Sequence, residues 1–280
     1  KGEMPMACWL SLDDSGGNID ISVNASPIQA AELLSDRLWG SCYGAVLTSA
    51  TLKALGNFET LKRETGVPDF ASFMSVAGAF NYGEAAVIRV PADAVEGNSV
   101  DAHSSYIVDN FPGLIEKRCG TLVLFSSKRQ MEQVFEELDK DLQKEIIMQG
   151  QFSNREMVRL HKERVDQGRT SVLMGLASFA EGVDLPGDYC KHVVIAKLPF
   201  AVPDDPLHEA LSEWVEERGG NSFFDISLPI ASLRLIQACG RLLRTESDTG
   251  TVTILDKRLV TKRYGGQLLN ALPPFRREIG

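Results

Sequence analysis

From Thr121 to Leu255 the chain alternates short apolar runs with amphipathic segments, and this rhythm constrains the fold more than any other feature. The runs at 121–125, 145–149, 171–175, 192–197 and 251–255 read as strands. The segments near 128–139, 154–167 and 206–217, and the one carrying Gln237, read as helices. Strands without polar alternation are buried on both faces, so the chain is expected to be α/β, a parallel sheet with helices on both sides. An N-terminal β-hairpin precedes it: Cys8–Leu12 and Ile19–Val23 alternate with period two around Asp-Asp-Ser-Gly-Gly turn chemistry. A helix is expected over Pro27–Leu38, with Ser26 as N-cap and Pro27 at its first position. Short strands are expected at Tyr43–Leu47 and at Ala86–Val90.

A chain of 280 residues, 44% of them hydrophobic, can bury a sizeable core. No apolar run reaches the ~18–20 residues of a membrane-spanning helix. The formal net charge of −9 argues against a broad basic surface that coats nucleic acid. It leaves room for a narrow track of backbone amides and hydroxyls. The five cysteines are scattered, with no C-x-x-C and no histidine at zinc-finger spacing. That pattern predicts no metal site and fits buried thiols in a reducing cytoplasm. The start, Lys1-Gly-Glu-Met-Pro-Met, carries neither an initiating Met nor a signal peptide, so the chain is expected to be a piece of something longer.

Ligands of open α/β sheets sit beyond the carboxyl ends of the strands, so the residues following each strand matter most. Strand 121–125 runs into Ser126-Ser127-Lys128, where hydroxyls at a helix start suit a phosphate or merely cap the helix. Strand 171–175 runs from Gly175 through Ser178-Phe179 to Glu181-Gly182-Val183-Asp184. Gly182 permits close backbone approach, and Asp184 can accept from a ribose or orient an arginine; an ordinary loop is the competing reading. Thr48-Ser49-Ala50-Thr51 is either a hydroxyl relay or a polar turn. Gln237-Ala-Cys-Gly240-Arg241-Leu-Leu-Arg244 places Gln237, Arg241 and Arg244 at i, i+4 and i+7, one helical face if the helix continues. Leu233, Ile236 and Leu243 would form the neighbouring buried face, with Gly240 small where the helix packs closely. Planar guanidiniums there match phosphate oxygens, although surface arginines also pair with carboxylates.

Taken in order, Thr48-Ser-Ala-Thr, Thr121-Leu-Val-Leu-Phe-Ser-Ser, Ala180-Glu-Gly-Val-Asp and Gln237-x-x-Gly-Arg-x-x-Arg resemble helicase motifs III, IV, V and VI. Ser178-Phe-Ala-Glu-Gly-Val-Asp-Leu, Asp256-Lys-Arg-Leu-Val-Thr-Lys and Tyr264-Gly-x-x-Leu-Leu-Asn-Ala-Leu-Pro add to the likeness. Over about residues 40–275 the chain resembles the C-terminal part of superfamily 2 DNA helicases of the DinG/XPD type. The resemblance implies a RecA-like second motor domain at 57–280, preceded at 1–56 by the hairpin, a helix and the motif III segment. It implies Arg244 as an arginine finger, Arg241 as a second phosphate contact and Gln237 as a nucleotide-side hydrogen-bonder. Glu181, Gly182 and Asp184 would face the nucleotide. Ser126, Ser127, Gly175, Ser178 and Phe179 would touch single-stranded DNA, and Thr48, Ser49 and Thr51 would couple the two sites. ATP and Mg²⁺ would be held mainly by a first motor domain outside this chain, and an iron–sulfur cluster by other parts of the intact protein. Motors of this layout can work as monomers. Such a domain should bring its strand ends and the Arg241/Arg244 face along one edge, with Arg244 on the side of Asp184. A non-catalytic α/β nucleotide-binding or interaction module is the opposing reading.

The chain contains no G-x-x-x-x-G-K-[ST] and no D-E-x-H, which removes the phosphate cradle and the Mg²⁺-binding carboxylates. These 280 residues alone are therefore expected not to turn over ATP; a phosphate-release assay on them that gave measurable turnover would overturn this expectation.

Overall fold

The structure, a computed structural model, describes residues 5–15, 18–180, 182–201 and 205–280. Its contacts divide the chain into two compact units, Lys1–Val76 with Phe200–Ala231, and Ala77–Pro199 with Ser232–Gly280.

The first unit opens on the expected hairpin, β1 (Met6–Ser15) paired antiparallel with β2 (Asn18–Pro27), longer on both arms than the alternation suggested. The Gly16-Gly17 turn lies outside the described residues. β2 continues through Ser26 and Pro27, so these residues close a strand and cap no helix. The helix starts at Ala31, runs to Leu34 and widens into a π turn over Ser35–Trp39. Trp39 Nε1 donates to Thr65 O at 2.7 Å and ties this turn to the Glu59–Thr65 helix. Gly66 ends that helix in the left-handed region, φ 59°, where a Cβ would sit 2.5 Å from the Ala31 carbonyl oxygen. Only glycine satisfies both demands. Tyr43–Leu47 forms no strand; its residues lie exposed, with Tyr43 and Val46 fully in solvent. A strand needs a partner for its backbone donors and acceptors, and this segment has no ladder within the unit. The hairpin packs through β1 on the Pro206–Glu216 helix, whose start follows the rule for proline at the first position, with Asp205 Oδ1 capping Leu207 N.

The second unit carries β3 (Ala86–Val90), β4 (Gly120–Phe125), β5 (Ile146–Met148), β6 (Ser171–Leu176), β7 (His192–Ile195), β8 (Gly250–Ile254) and β9 (Arg276–Ile279). They form one parallel sheet in the order β5-β6-β4-β7-β8-β3-β9. Every residue of β4 and β7 is buried, which explains the apolar runs Leu122–Phe125 and Val193–Ile195. Register sorts their side chains. Val123, Met174 and Val194 face one side and pack with Ile107, Phe111, Met131 and Val134 from the Val100–Asn110 and Lys128–Glu137 helices and the turn between. Leu122, Leu173 and Val193 face the other, where the Asn154–Asp166 helix lies against β4 and β6. That helix begins with a Ser-x-x-Glu capping sequence, Ser153 Oγ accepting from Glu156 N at 3.3 Å. Among the described residues no helix is long and apolar enough to cross a membrane.

Two buried histidines lock the base of this sheet. His161 donates from Nε2 to Tyr189 O at 2.8 Å and meets Ser171 Oγ through Nδ1 at 2.9 Å. His192 Nε2 meets Thr253 Oγ1 at 2.7 Å across the β7–β8 pair. Burial is the dominant cause that pushes both imidazoles down, to about 4, against opposing carbonyl hydrogen bonds. Unfolded histidine binds its proton near pH 6.5, so between there and about 4 the unfolded chain takes up protons that the folded one refuses. Stability should thus be flat above about pH 6.5 and fall by on the order of 3 kcal/mol per histidine toward pH 4. Urea unfolding across that window, with imidazole ¹⁵N shifts confirming neutral rings at pH 5 in the folded state, checks it; charged folded rings would refute it.

Candidate nucleotide and nucleic-acid sites

The helix that carries Gln237 spans Leu228–Cys239 and ends before both arginines. Gly240 N still donates four residues back to Ile236 O, but Arg241 N and Leu242 N reach only three back, to Ala238 O and Cys239 O. The last turn has tightened and unwound at its poorest helix former. Gly240 is exposed, and a Cβ there would meet only the carbonyls of its own helix, so no close packing required it. The buried positions of the helix's second half are Leu235, Ala238 and Cys239, whereas Leu233 and Ile236 are only partly covered. Gln237, Arg241 and Arg244 therefore do not share a helical face.

The arginines converge by another route. Arg241 Nη1 and Arg244 Nη2 each donate to the carbonyl oxygen of Val183, both at 3.2 Å. Arg244 Nε also lies 3.4 Å from Asp184 Oδ1. Two segments some sixty residues apart are thereby joined at one peptide. The Arg244 side chain is 30% exposed and that of Asp184 75%, so their ion pair is screened and worth only about 0–1 kcal/mol. Val183 and Leu185 are buried and anchor the loop that presents Asp184 outward. Among the described residues, its chain neighbours aside, nothing lies within 4 Å of where a Gly182 Cβ would stand. Glu181 lies outside the described residues.

What holds this convergence is Asp248, which motif reading passed over. Its carboxylate accepts from Arg244 N (2.7 Å), Thr245 N (2.9 Å), Thr245 Oγ1 (2.6 Å) and Gly187 N (3.1 Å). Burial by itself would raise this carboxyl, but the hydrogen bonds from Thr245, Arg244 and Gly187 outweigh it and hold it below the usual carboxylate range. The only sequence signal was an acidic residue just ahead of a strand, which is common in turns. Asp248 precedes β8 by two residues, so the Arg244 backbone sits toward the amino end of the sheet. Arg244 thus meets Asp184, as expected, but away from the carboxyl-end row of Ser126.

At that carboxyl end, Ser127 caps the Lys128–Glu137 helix, its Oγ accepting from Gln130 N at 3.4 Å, and Ser126 precedes it, partly exposed. Beyond β6, a one-turn helix over Ala177–Ala180 takes the place of the expected loop. Ser178 is exposed; Phe179 is 2% exposed and Gly175 is buried. A Cβ on Gly175 would lie 2.6 Å from the Phe179 ring, so this glycine seats the phenyl. Gln149 Oε1 caps the same turn through Leu176 N at 2.8 Å. Thr48, Ser49 and Thr51 belong to the other unit, where Ser49 Oγ accepts from Thr51 N at 3.2 Å in a local hydroxyl turn. Among the described residues no group of three or more His, Cys, Asp or Glu could hold a metal ion. The two guanidiniums have the donor geometry that suits phosphate oxygens.

A seven-stranded parallel sheet with helices packed on both faces is a RecA-like α/β fold. The helicase C-terminal domain family matches residues 114–275, and the chain belongs to that family. It is 40% identical over 98% of its length to the ATP-dependent DNA helicase DinG of Photobacterium profundum, and covers 40% of that protein. It is 37% identical over 97% of its length to the ATP-dependent DNA helicase DinG of Escherichia coli strain K12, covering 38%. The chain spans about two fifths of the length of these curated relatives. Among solved structures, an XPD helicase superposes with a TM-score of 0.65 at 18% identity, covering 95% of this chain and 48% of that one. Xpd4 of S. tokodaii superposes at 0.60 and 19% identity, covering 92% and 49%. Both share the fold.

Replacing Asp248, itself buried beneath an exposed turn, with Ala removes the acceptor of three backbone donors and a hydroxyl. The expected cost is about 2–4 kcal/mol, read as a lower urea midpoint at unchanged slope. A loss below about 0.5 kcal/mol, the range of ordinary surface substitutions, would show that the turn holds without it.

Proposed function

We propose that this chain is the second RecA-like motor domain of an ATP-dependent 5′-3′ DNA helicase acting in repair or replication, with Arg244 as the arginine finger. The convergence of Arg241 and Arg244 on Val183, beside Asp184, carries the reading. Motifs V and VI meet there, and two guanidiniums are gathered at a surface that a nucleotide can reach. The contacts Arg244 makes are weak enough to exchange. A solvent-screened carboxylate and a shared carbonyl yield readily to a phosphate that offers paired charged acceptors.

In this proposal ATP and Mg²⁺ sit mainly on a first motor domain, which faces Arg241, Arg244, Gln237, Gly182, Asp184 and Glu181. Ser126, Ser127, Ser178 and the backbone from Gly175 touch single-stranded DNA, while the buried Phe179 ring shapes that turn from inside. The Thr48–Thr51 turn, with Thr48, Ser49 and Thr51, couples the nucleotide site to the DNA track. The motor works as a monomer in the cytoplasm.

An arginine finger is typically worth ~10³–10⁵ in kcat, roughly 4–7 kcal/mol of barrier. In the full-length protein, Arg244→Ala is therefore expected to lower single-stranded-DNA-stimulated ATP hydrolysis about a thousandfold while nucleotide binding is largely kept. Unchanged kcat would assign the arginine pair to loop structure or a protein partner and remove the finger.

A further inference from the structure

Lys197 is a half-buried cation that none of the motifs uses. It stands at the carboxyl end of β7, a central strand, where Ala196 N donates to Leu124 O at 2.9 Å and extends the Leu124–Ile195 register. Lys197 follows Ala196, at the same carboxyl end of the sheet where Ser126 follows β4. On its other side Leu198 N donates to Asp256 Oδ2 at 3.1 Å, joining the end of β7 to the end of β8. Asp256 is fully buried and already engaged: it accepts from Gly97 N (3.2 Å) and from Arg258 N, Nε and Nη2, the last at 2.6 Å. Its charge is thereby matched by Arg258.

Lys197 lies in the same cluster without a carboxylate of its own. Its stem rests on Gly97, where a Cβ would come within 2.9 Å of Cγ. It is partly buried and forms no ion pair among the described residues. Burial first, and then the neighbouring Arg258, lower its pKa, with Asp256 opposing only as the third influence. An ammonium held half out of water beside a guanidinium costs free energy until an anion arrives. A titratable group perturbed by burial beside a specific charge is a functional-site candidate. The net charge of −9 argues against a broad basic surface that attracts a polyanion, so a focused contact has more to contribute.

We propose that Lys197 is a phosphate contact for single-stranded nucleic acid, extending the track from the end of β4 across the end of β7. The inference rests on the motor-domain reading above. The phosphodiester backbone is the ligand, and the contact is blind to sequence. Asp256 and Arg258 act through Lys197 by fixing the loop beneath it.

Counterion release gives a test that a structural role would not pass. Binding of the full-length protein to a labelled oligothymidylate is measured by anisotropy between about 0.05 and 0.2 M salt. Lys197→Gln is expected to reduce the slope of log K against log salt by about 0.7, and to weaken binding about fivefold near 0.1 M. Lys197→Arg is expected to retain the wild-type slope. Weaker binding with an unchanged slope, or no change in either quantity, overturns the proposal while leaving the motor reading standing. A wild-type protein that does not bind the oligonucleotide overturns both.

Discussion

The constraint on which everything else rests is that β4 and β7 are buried on both faces. A strand covered on both sides has no room for an unpaired polar side chain, and its own backbone is spent in the ladder. Chemistry is therefore exported to where strands stop. Ser126, Ser127 and Lys197 follow strand ends directly, and the Val183–Asp184 segment belongs to the connection that leaves β6. The same burial fixes register, because a slip by one residue would carry the Val123–Met174–Val194 layer to the wrong helices.

Two buried carboxylates then decide how those ends are shaped. Asp248 gathers the turn after Cys239 and the turn at Gly187, and Asp256 gathers Gly97, Leu198 and Arg258. Each is charged, each is satisfied by several donors, and neither touches a proposed ligand. Between them they hold loops that would otherwise be free to move, one beneath the arginine pair and one beneath Lys197. Preorganisation of this kind lets weakly held outer side chains exchange partners without disturbing the backbone that aims them.

Much of this was legible beforehand. The five strand runs from Thr121 onward and the three amphipathic helices between 128 and 217 appear close to where periodicity put them, because core burial enforces the period locally. Capping chemistry was readable at Ser127. The failures share a cause. Pro27 looked like a helix start but closes β2, because pairing with Met6 outweighed local preference. Tyr43–Leu47 looked like a strand but has no partner to complete its hydrogen bonds. Phe179 looked available to a nucleic acid but fills the space that Gly175 leaves.

By itself, the sequence determined the class of fold, the positions of the strand ends and the presence of two arginines at motif spacing. Those properties follow from short-range patterning, which one chain carries openly. Only the tertiary structure decided that the helix stops at Cys239, that Arg241 and Arg244 nevertheless meet at Val183, and that Asp248 and Asp256 are the groups that hold the loops. These outcomes depend on which donors and acceptors come within about 3 Å of one another across sixty or more residues of chain, as Gly187 and Asp248 do. Spacing along a helix can suggest a shared face, but the helix unwinds at Gly240, and the Arg244 and Thr245 amides beyond it go to the Asp248 carboxylate.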